Sequence, residues 1–331
     1  MKFTIHTLVA ASALAFLSAC GGDDSSSQPG STALAITSTN VSDVARASIN
    51  GVMAVALGES ALGAGGATLP ATVIGRSHAL GTPLARVLHA AMAQRKGIAS
   101  VGAHPSSATT ACADGGTLTT SFDDKDGNSV VSTGDVITIA FAQCHETVAS
   151  TVDGAVTILV SSTPTASQFA ASVQFQALAV VDAGASSSIN GQVSVAETDT
   201  DTRSDSTITV GAQGLTATLV SSTYTDTLAF DAGMVVTTGS DHSIDDVSIT
   251  MAGSFASRTL GGRVTVATPT PLFEGAADAF PSSGVLRITG ISGSTLVVTA
   301  LNSSQAQLQL DANGDGTFES TSTVAWTSLV P

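Results

Sequence analysis

Two periods divide the chain. From about residue 115 onward, apolar side chains return at every second position, as in "GDVITIAFAQC", where Ile137, Ile139 and Phe141 alternate with Val136 and Thr138. Residues two apart share one face of a strand, so such a stretch predicts a half-buried strand. "DGAVTILVSS", "NGQVSVAE", "DDVSITMAG", "GGRVTVAT" and "SGVLRITG" follow the same scheme, each opening on a pair drawn from Asp, Asn, Ser, Gly. Asp-Gly and Asn-Gly supply the positive φ of tight hairpins, so the series predicts a meander of about twelve to fourteen antiparallel strands. Their spacing is too irregular to require a solenoid. The many Ser and Thr residues place one face of the sheet in water or along a wet groove.

Residues 40–110 carry the other period and read mainly as helix. In "NVSDVARASINGVMAVAL", Asn40 stands as a cap with Asp43 three residues on. Val41, Val44, Ile49, Val52, Met53 and Ala56 then form a helical stripe, interrupted by Gly51. In "TPLARVLHAAMAQRKG", Thr82 caps, Pro83 takes the first helical position, Arg95 and Lys96 fall in the last turn and Gly97 ends it. Leu84, Val87, Leu88, Ala91 and Met92 make its apolar face, with His89 at the boundary. The expected fold is mainly β, of the α+β kind. A helical N-terminal segment (40–110) precedes a large antiparallel β domain (111–331), built as a curved sheet or a sandwich.

Composition narrows the function classes. Hydrophobic residues make up 43% of the 331 positions but aromatics only 4%, so Val, Ile, Leu and Ala must build the core. The formal charge is −15 with only 11 Lys and Arg, which leaves no basic footprint for nucleic acid. One Trp and one Tyr cannot form the aromatic girdles of an outer-membrane barrel.

The N-terminus reads as an address. "MKFTIHTLVAASALAFLSAC" has Lys2, then an apolar run from Leu8 to Leu17 that is too short to span a bilayer. Leu17-Ser18-Ala19-Cys20 resembles the lipobox of bacterial lipoproteins. That resemblance implies a signal peptide over 1–19, cleavage before Cys20, a diacylglycerol thioether on Cys20 and acylation of the new N-terminus. "GGDDSSSQPGS" follows, so 20–39 reads as a lipidated tether without hydrophobic content. In such lipoproteins an Asp after the cysteine favours inner-membrane retention; here Gly21 stands there, which implies the outer membrane, on its periplasmic or its outer face. With Cys20 carrying lipid, Cys112 and Cys144 remain as a pair, read as a disulfide in an oxidising compartment. The rival reading is a metal site shared with His145, which lacks the further ligands zinc takes.

Two Asp-rich stretches carry the chemistry. In "DANGDGTFE", Asp311, Asn313, Asp315 and Glu319 occupy positions 1, 3, 5 and 9, with the Thr317 carbonyl at 7 and glycines at 4 and 6. Calcium takes six to eight hard oxygens, and ligands at alternate positions of a turn can wrap one centre. The segment resembles short D-x-[DN]-x-D-G-x-x-[DE] calcium loops between strands of extracellular β-proteins. Position 12 is Ser322 instead of Glu, and the flanks (Leu308, Leu310; Val324, Trp326) read as strands, so a hairpin loop is expected. A solvated turn without metal is the alternative. In "DKDGNSVVSTGD", Asp124, Asp126, Asn128, the Val130 carbonyl, Ser132 and Asp135 stand at positions 1, 3, 5, 7, 9 and 12. This resembles a twelve-residue calcium loop that lacks glycine at position 6, Ser129. It is either a distorted loop or the tip of a hairpin at Asp126-Gly127-Asn128. Glu197, Asp199 and Asp201, spaced by two, read as a solvated strand face.

No G-x-S-x-G, H-E-x-x-H or glycine-rich phosphate loop is present. The lipobox, the Cys112–Cys144 spacing and the closing "LQLDANGDGTFESTSTVAW" resemble uncharacterised envelope lipoproteins of Gram-negative bacteria. The expected role is a non-enzymatic, lipid-anchored outer-membrane lipoprotein whose β domain binds a protein or lipid partner or serves envelope structure, with Ca²⁺ in its loops. A carrier of lipid or another amphiphile is the alternative. A hydrolase would need Ser or Asp beside His145 or His242.

Overall fold

Alternation becomes strand throughout the second half of the chain. The computed structural model describes residues 30, 32–60, 106–165, 167–182, 184–241 and 246–330; Cys20, the stretch 82–97 and His242 lie outside them. The first strands are β1 (Ser106–Ala111), β2 (Thr117–Asp123), β3 (Val136–Thr147), β4 (Ser150–Ser162), β5 (Gln168–Asp182), β6 (Ala185–Asp199) and β7 (Arg203–Val220). Then come β8 (Thr225–Phe230), β9 (Val235–Asp241), β10 (Asp246–Ser257), β11 (Gly262–Glu274), β12 (Ser283–Thr289), β13 (Thr295–Asn302), β14 (Gln305–Asp311) and β15 (Ser320–Ala325).

All fifteen belong to one antiparallel sheet that runs in chain order from β1 to β15. β8 and β9 lie end to end between β7 and β10. Ala217 of β7 faces Leu228 of β8, while Ile208 of β7 faces Val236 of β9. On the other side Phe255 of β10 faces Phe230, and Met251 faces Val236. Among the described residues fifteen strands thus fill fourteen places, close to the count of about twelve to fourteen expected from the sequence. β1 starts inside the stretch read as helical: "SSATTA" has no apolar alternation, and it joins the sheet through its ladder with β2.

One face of the sheet is apolar and buried, including Ile137, Ile139, Val156, Ile158, Val173, Phe175, Leu286 and Leu308. The other is hydroxylic, with cross-strand pairs such as Thr109–Thr119 (2.9 Å), Thr218–Thr227 (3.1 Å) and Ser254–Thr265 (2.8 Å). This is the solvated face that the Ser and Thr content predicts.

Three glycines in turn-like pairs do not make turns. Gly154 (φ 101°), Gly191 (φ 125°) and Gly284 (φ 112°) sit inside β4, β6 and β12. Positive φ is used here to let neighbouring backbone approach. A Cβ on Gly154 would stand 2.4 Å from the Ala177 carbonyl oxygen, and one on Gly191 2.4 Å from that of Gly214. Ala177 (φ 48°) is itself left-handed, as is Gln143 (φ 47°) on β3, whose N–H donates to Asp153 Oδ1 at 2.7 Å. Register slips at the same level between β3 and β4, β4 and β5, β5 and β6, and β6 and β7. Bulges bend strands and increase their twist, so aligned bulges crease the sheet across β3–β7. The consequence is long strands with corners in place of short strands with extra hairpins.

On the apolar face of the sheet lies α1 (Val41–Ser60). Val44, Ala45, Ala47, Ile49 and Val55 are buried. The helix packs on β7, β8, β9 and β10 and also on β13, three places further along, so the sheet wraps around it. Gly51, which interrupts the stripe, lets the helix sit on Phe230: a Cβ there would be 3.3 Å from the ring. The Asn40 side chain does not cap forward as expected. Its Oδ1 accepts from Thr37 N–H (2.9 Å) and its amide donates to the Ala35 carbonyl (2.9 Å), shaping the turn that leads in. Residues near the C-terminus hold the helix from outside. Arg46 donates to the Ser328 carbonyl (2.8 Å) and the Asn50 amide to that of Leu329 (3.3 Å). Trp326, fully buried, stacks on Phe280 and donates to the Asn302 carbonyl.

Candidate metal centres

Both Asp-rich stretches connect adjacent strands: 124–135 joins β2 to β3, and 312–319 follows Asp311 at the end of β14 and leads into β15. Their first seven residues share one hydrogen-bond scheme. Asp124 accepts from Gly127 N–H (2.7 Å) and Ser129 N–H (2.5 Å), just as Asp311 accepts from Gly314 N–H (2.7 Å) and Gly316 N–H (2.8 Å). Position 3 accepts from the N–H of position 5: Asn128 to Asp126 at 3.1 Å, Asp315 to Asn313 at 2.8 Å. Position 5 accepts from position 7: Val130 to Asn128 at 2.6 Å, Thr317 to Asp315 at 2.8 Å.

The backbone agrees. Positions 4 and 6 are left-handed in both loops, at φ 72° and 62° for Gly127 and Ser129 and φ 76° and 86° for Gly314 and Gly316. Ser129 therefore adopts the conformation for which glycine was missing. The first stretch wraps as a twelve-residue loop and not as a simple hairpin tip.

Each loop brings three carboxylates together. Oxygens of Asp124, Asp126 and Asp135 lie within 4.8 Å of one another, as do those of Asp311, Asp315 and Glu319. Asp135 is fully buried and accepts from the N–H groups of Ser132 (2.7 Å) and Lys125 (2.8 Å). The Ser132 hydroxyl bridges Asp126 (3.0 Å) and Asp135 (3.1 Å). Glu319 folds back to accept from Ala312 N–H at 2.7 Å. The Thr317 N–H and the Asn313 amide hold the Asp315 carboxyl below the ordinary 3.8. Carboxylates this close repel, and a hard dication would both neutralise them and find its preferred oxygen donors.

The remaining candidates separate. Cys112 and Cys144 are disulfide-bonded with Cα atoms 5.4 Å apart, which fastens the β1–β2 connection to β3 and removes both thiolates from any metal site with His145. His145 Nδ1 instead lies 3.1 Å from the Ser150 carbonyl and 3.1 Å from the Thr151 hydroxyl. Glu197 and Asp199 share a face of β6, half-buried, and Asp199 accepts from the Ser204 hydroxyl (2.7 Å); Asp201 lies beyond the strand.

The buried carboxylate of Asp226 was not found from sequence. It accepts from Ser257 Oγ (2.5 Å), Tyr224 Oη (3.2 Å), Thr227 N–H (2.8 Å) and Thr259 N–H (2.9 Å). Burial, with Asp226 beside it, pushes the Tyr224 phenol far above its usual range. These bonds tie the β7–β8 turn to the β10–β11 turn, and the only signal was the chain's single tyrosine two residues from an Asp.

Among the described residues, fold and loops together define a domain built on one antiparallel sheet, with two Asp-rich loops that each converge three carboxylates. No family model, curated protein or solved structure matches the chain.

Proposed function

We propose that the chain is a lipid-anchored outer-membrane lipoprotein whose β domain is non-enzymatic and is stabilised by Ca²⁺ in its two Asp-rich loops. The observation that carries the calcium reading is the repetition of one seven-residue scheme at two unrelated connections, each converging three carboxylates. The disulfide agrees with an oxidising compartment. Anchoring rests on Leu17-Ser18-Ala19-Cys20, and the partner is the membrane through acyl chains on Cys20.

The loops act as cation-filled clamps on two hairpins. At free calcium ten times a loop's Kd, linkage contributes about 1.4 kcal/mol per loop. The test is thermal melting of the full chain in chelator and in millimolar calcium, with D124N/D311N as comparison. A rise of several degrees in the wild type alone is expected; coincident curves refute the stabilising role. Labelled palmitate should enter the wild type and not Cys20→Ala.

A carrier of lipid or another amphiphile is the second reading. It is favoured by the inward apolar face continuing through β3–β6, beyond the strands on which α1 chiefly packs. Lipid in an organic extract of the purified protein would support it, and an empty extract would end it.

A further inference from the structure

We propose that the corner at which the tether enters the β domain is a membrane-docking face, with Ile291 and Phe318 entering the lipid interface. The proposal rests on the anchoring reading above. Gly30 lies against Gly261 in the β10–β11 turn, where a Cβ would stand 2.6 Å from the Gly261 carbonyl oxygen. Ala33 then runs parallel to Arg263, with Leu34 N–H donating to the Arg263 carbonyl (2.8 Å) and Arg263 N–H to that of Thr32 (2.9 Å). Ile291 N–H donates to the Leu34 carbonyl (2.8 Å), and Ile36 N–H to Ser294 Oγ (3.1 Å). The tether is thereby stitched to the 3-10 turn Ile291–Gly293. That turn lies against the second Asp-rich loop, since a Cβ on Gly314 would be 2.6 Å from the Ser292 carbonyl oxygen.

These two touching connections each present an exposed apolar side chain, Ile291 at 44% and Phe318 at 41%. The neighbouring turn presents exposed Arg258, a cation suited to lipid phosphate. Position makes the membrane the occupant. The ten residue-to-residue steps from Cys20 to Gly30 reach at most about 35 Å, less than the roughly 50 Å width of a compact chain of about 300 residues. Anchored at Cys20, the domain therefore keeps this corner towards the bilayer. At the high effective concentration set by so short a link, a weak apolar contact is populated.

The experiment uses the full lipidated chain in phosphatidylethanolamine vesicles with a minor share of phosphatidylglycerol, acyl chains brominated, in millimolar calcium. F318W and I291W are compared with V148W, at a position 90% exposed on the β3–β4 turn, against the buried Trp326 background. Interfacial side chains sit about 5–10 Å into the headgroup–acyl boundary, so F318W and I291W should shift blue and lose roughly half or more of their added emission, and V148W should not. Flotation reports anchoring separately. Protein that floats while both variants keep aqueous emission overturns the docking face alone. Protein that does not float overturns the anchoring reading and the docking face with it.

Discussion

Ser129→Gly isolates the backbone of the first Asp-rich loop. Ser129 is exposed, is held at φ 62°, and its N–H is bonded to Asp124. A left-handed conformation costs a non-glycine residue roughly 1–2 kcal/mol. Glycine's extra freedom in the unfolded chain takes back about 0.5–1 kcal/mol. The net gain is therefore about 0.5–1 kcal/mol, a factor of roughly two to five in an equilibrium constant. Where that gain appears depends on when the loop forms. A loop already wrapped in chelator gives it to folding, as a higher urea midpoint and a melting point up by about 2 °C. A loop wrapped only around calcium gives it to affinity, as a two- to five-fold lower Kd by calorimetry. The neighbouring V130G is the control, because Val130 is not left-handed and glycine there should cost about 0.5–1 kcal/mol. Unchanged stability and unchanged Kd in S129G would refute the reasoning.

Three further outcomes are expected. Breaking the disulfide with Cys112→Ser and Cys144→Ser opens a 32-residue separation and should cost about 4 kcal/mol, read from urea midpoints without reductant. Gly154→Ala should cost about 2–4 kcal/mol by adding backbone strain to the clash with the Ala177 carbonyl, whereas Gly184→Ala, at φ 86° with nothing within 4 Å, should cost only about 1 kcal/mol. The Ser282 hydroxyl and the Gly275 N–H hold the Asp278 carboxyl below the ordinary 3.8, so its ionised form is favoured in the folded state. Its contribution is present above pH 3.8 and is lost as pH falls through the lowered folded value; D278N should therefore be less stable than the wild type at neutral pH, with a flatter acid limb, and the two stability profiles should converge below that window.

Side-chain alternation is a local property, and the sequence carried it openly: Ile137, Ile139 and Phe141 are buried where the period placed them. The internal bonding of the Asp-rich loops is local for the same reason, since positions 1, 3 and 5 make their hydrogen bonds to residues two to five away. The crease was not legible. Gly154 and Gly191 announce positive φ, yet only the carbonyls of Ala177 and Gly214 on neighbouring strands decide whether that φ ends a strand or bends it. Ala177 and Gln143 bear no mark of their bulges at all. Ser129 shows the converse, a residue with poor propensity forced left-handed by three N–H groups (Gly127, Asn128 and Ser129) converging on Asp124. Asp226 escaped notice because its partners lie on two turns about thirty residues apart.

The bonds from Arg46 to Ser328 and from Asn50 to Leu329 span sequence separations of 282 and 279. At about 5–20 residues per second, a ribosome needs roughly 15–60 s to deliver the later partner after the earlier one. For all of that interval α1 has its apolar side but not its clasp. Contacts of such long range also close slowly. A nascent chain built this way stays without its clasp until translation has passed residue 329.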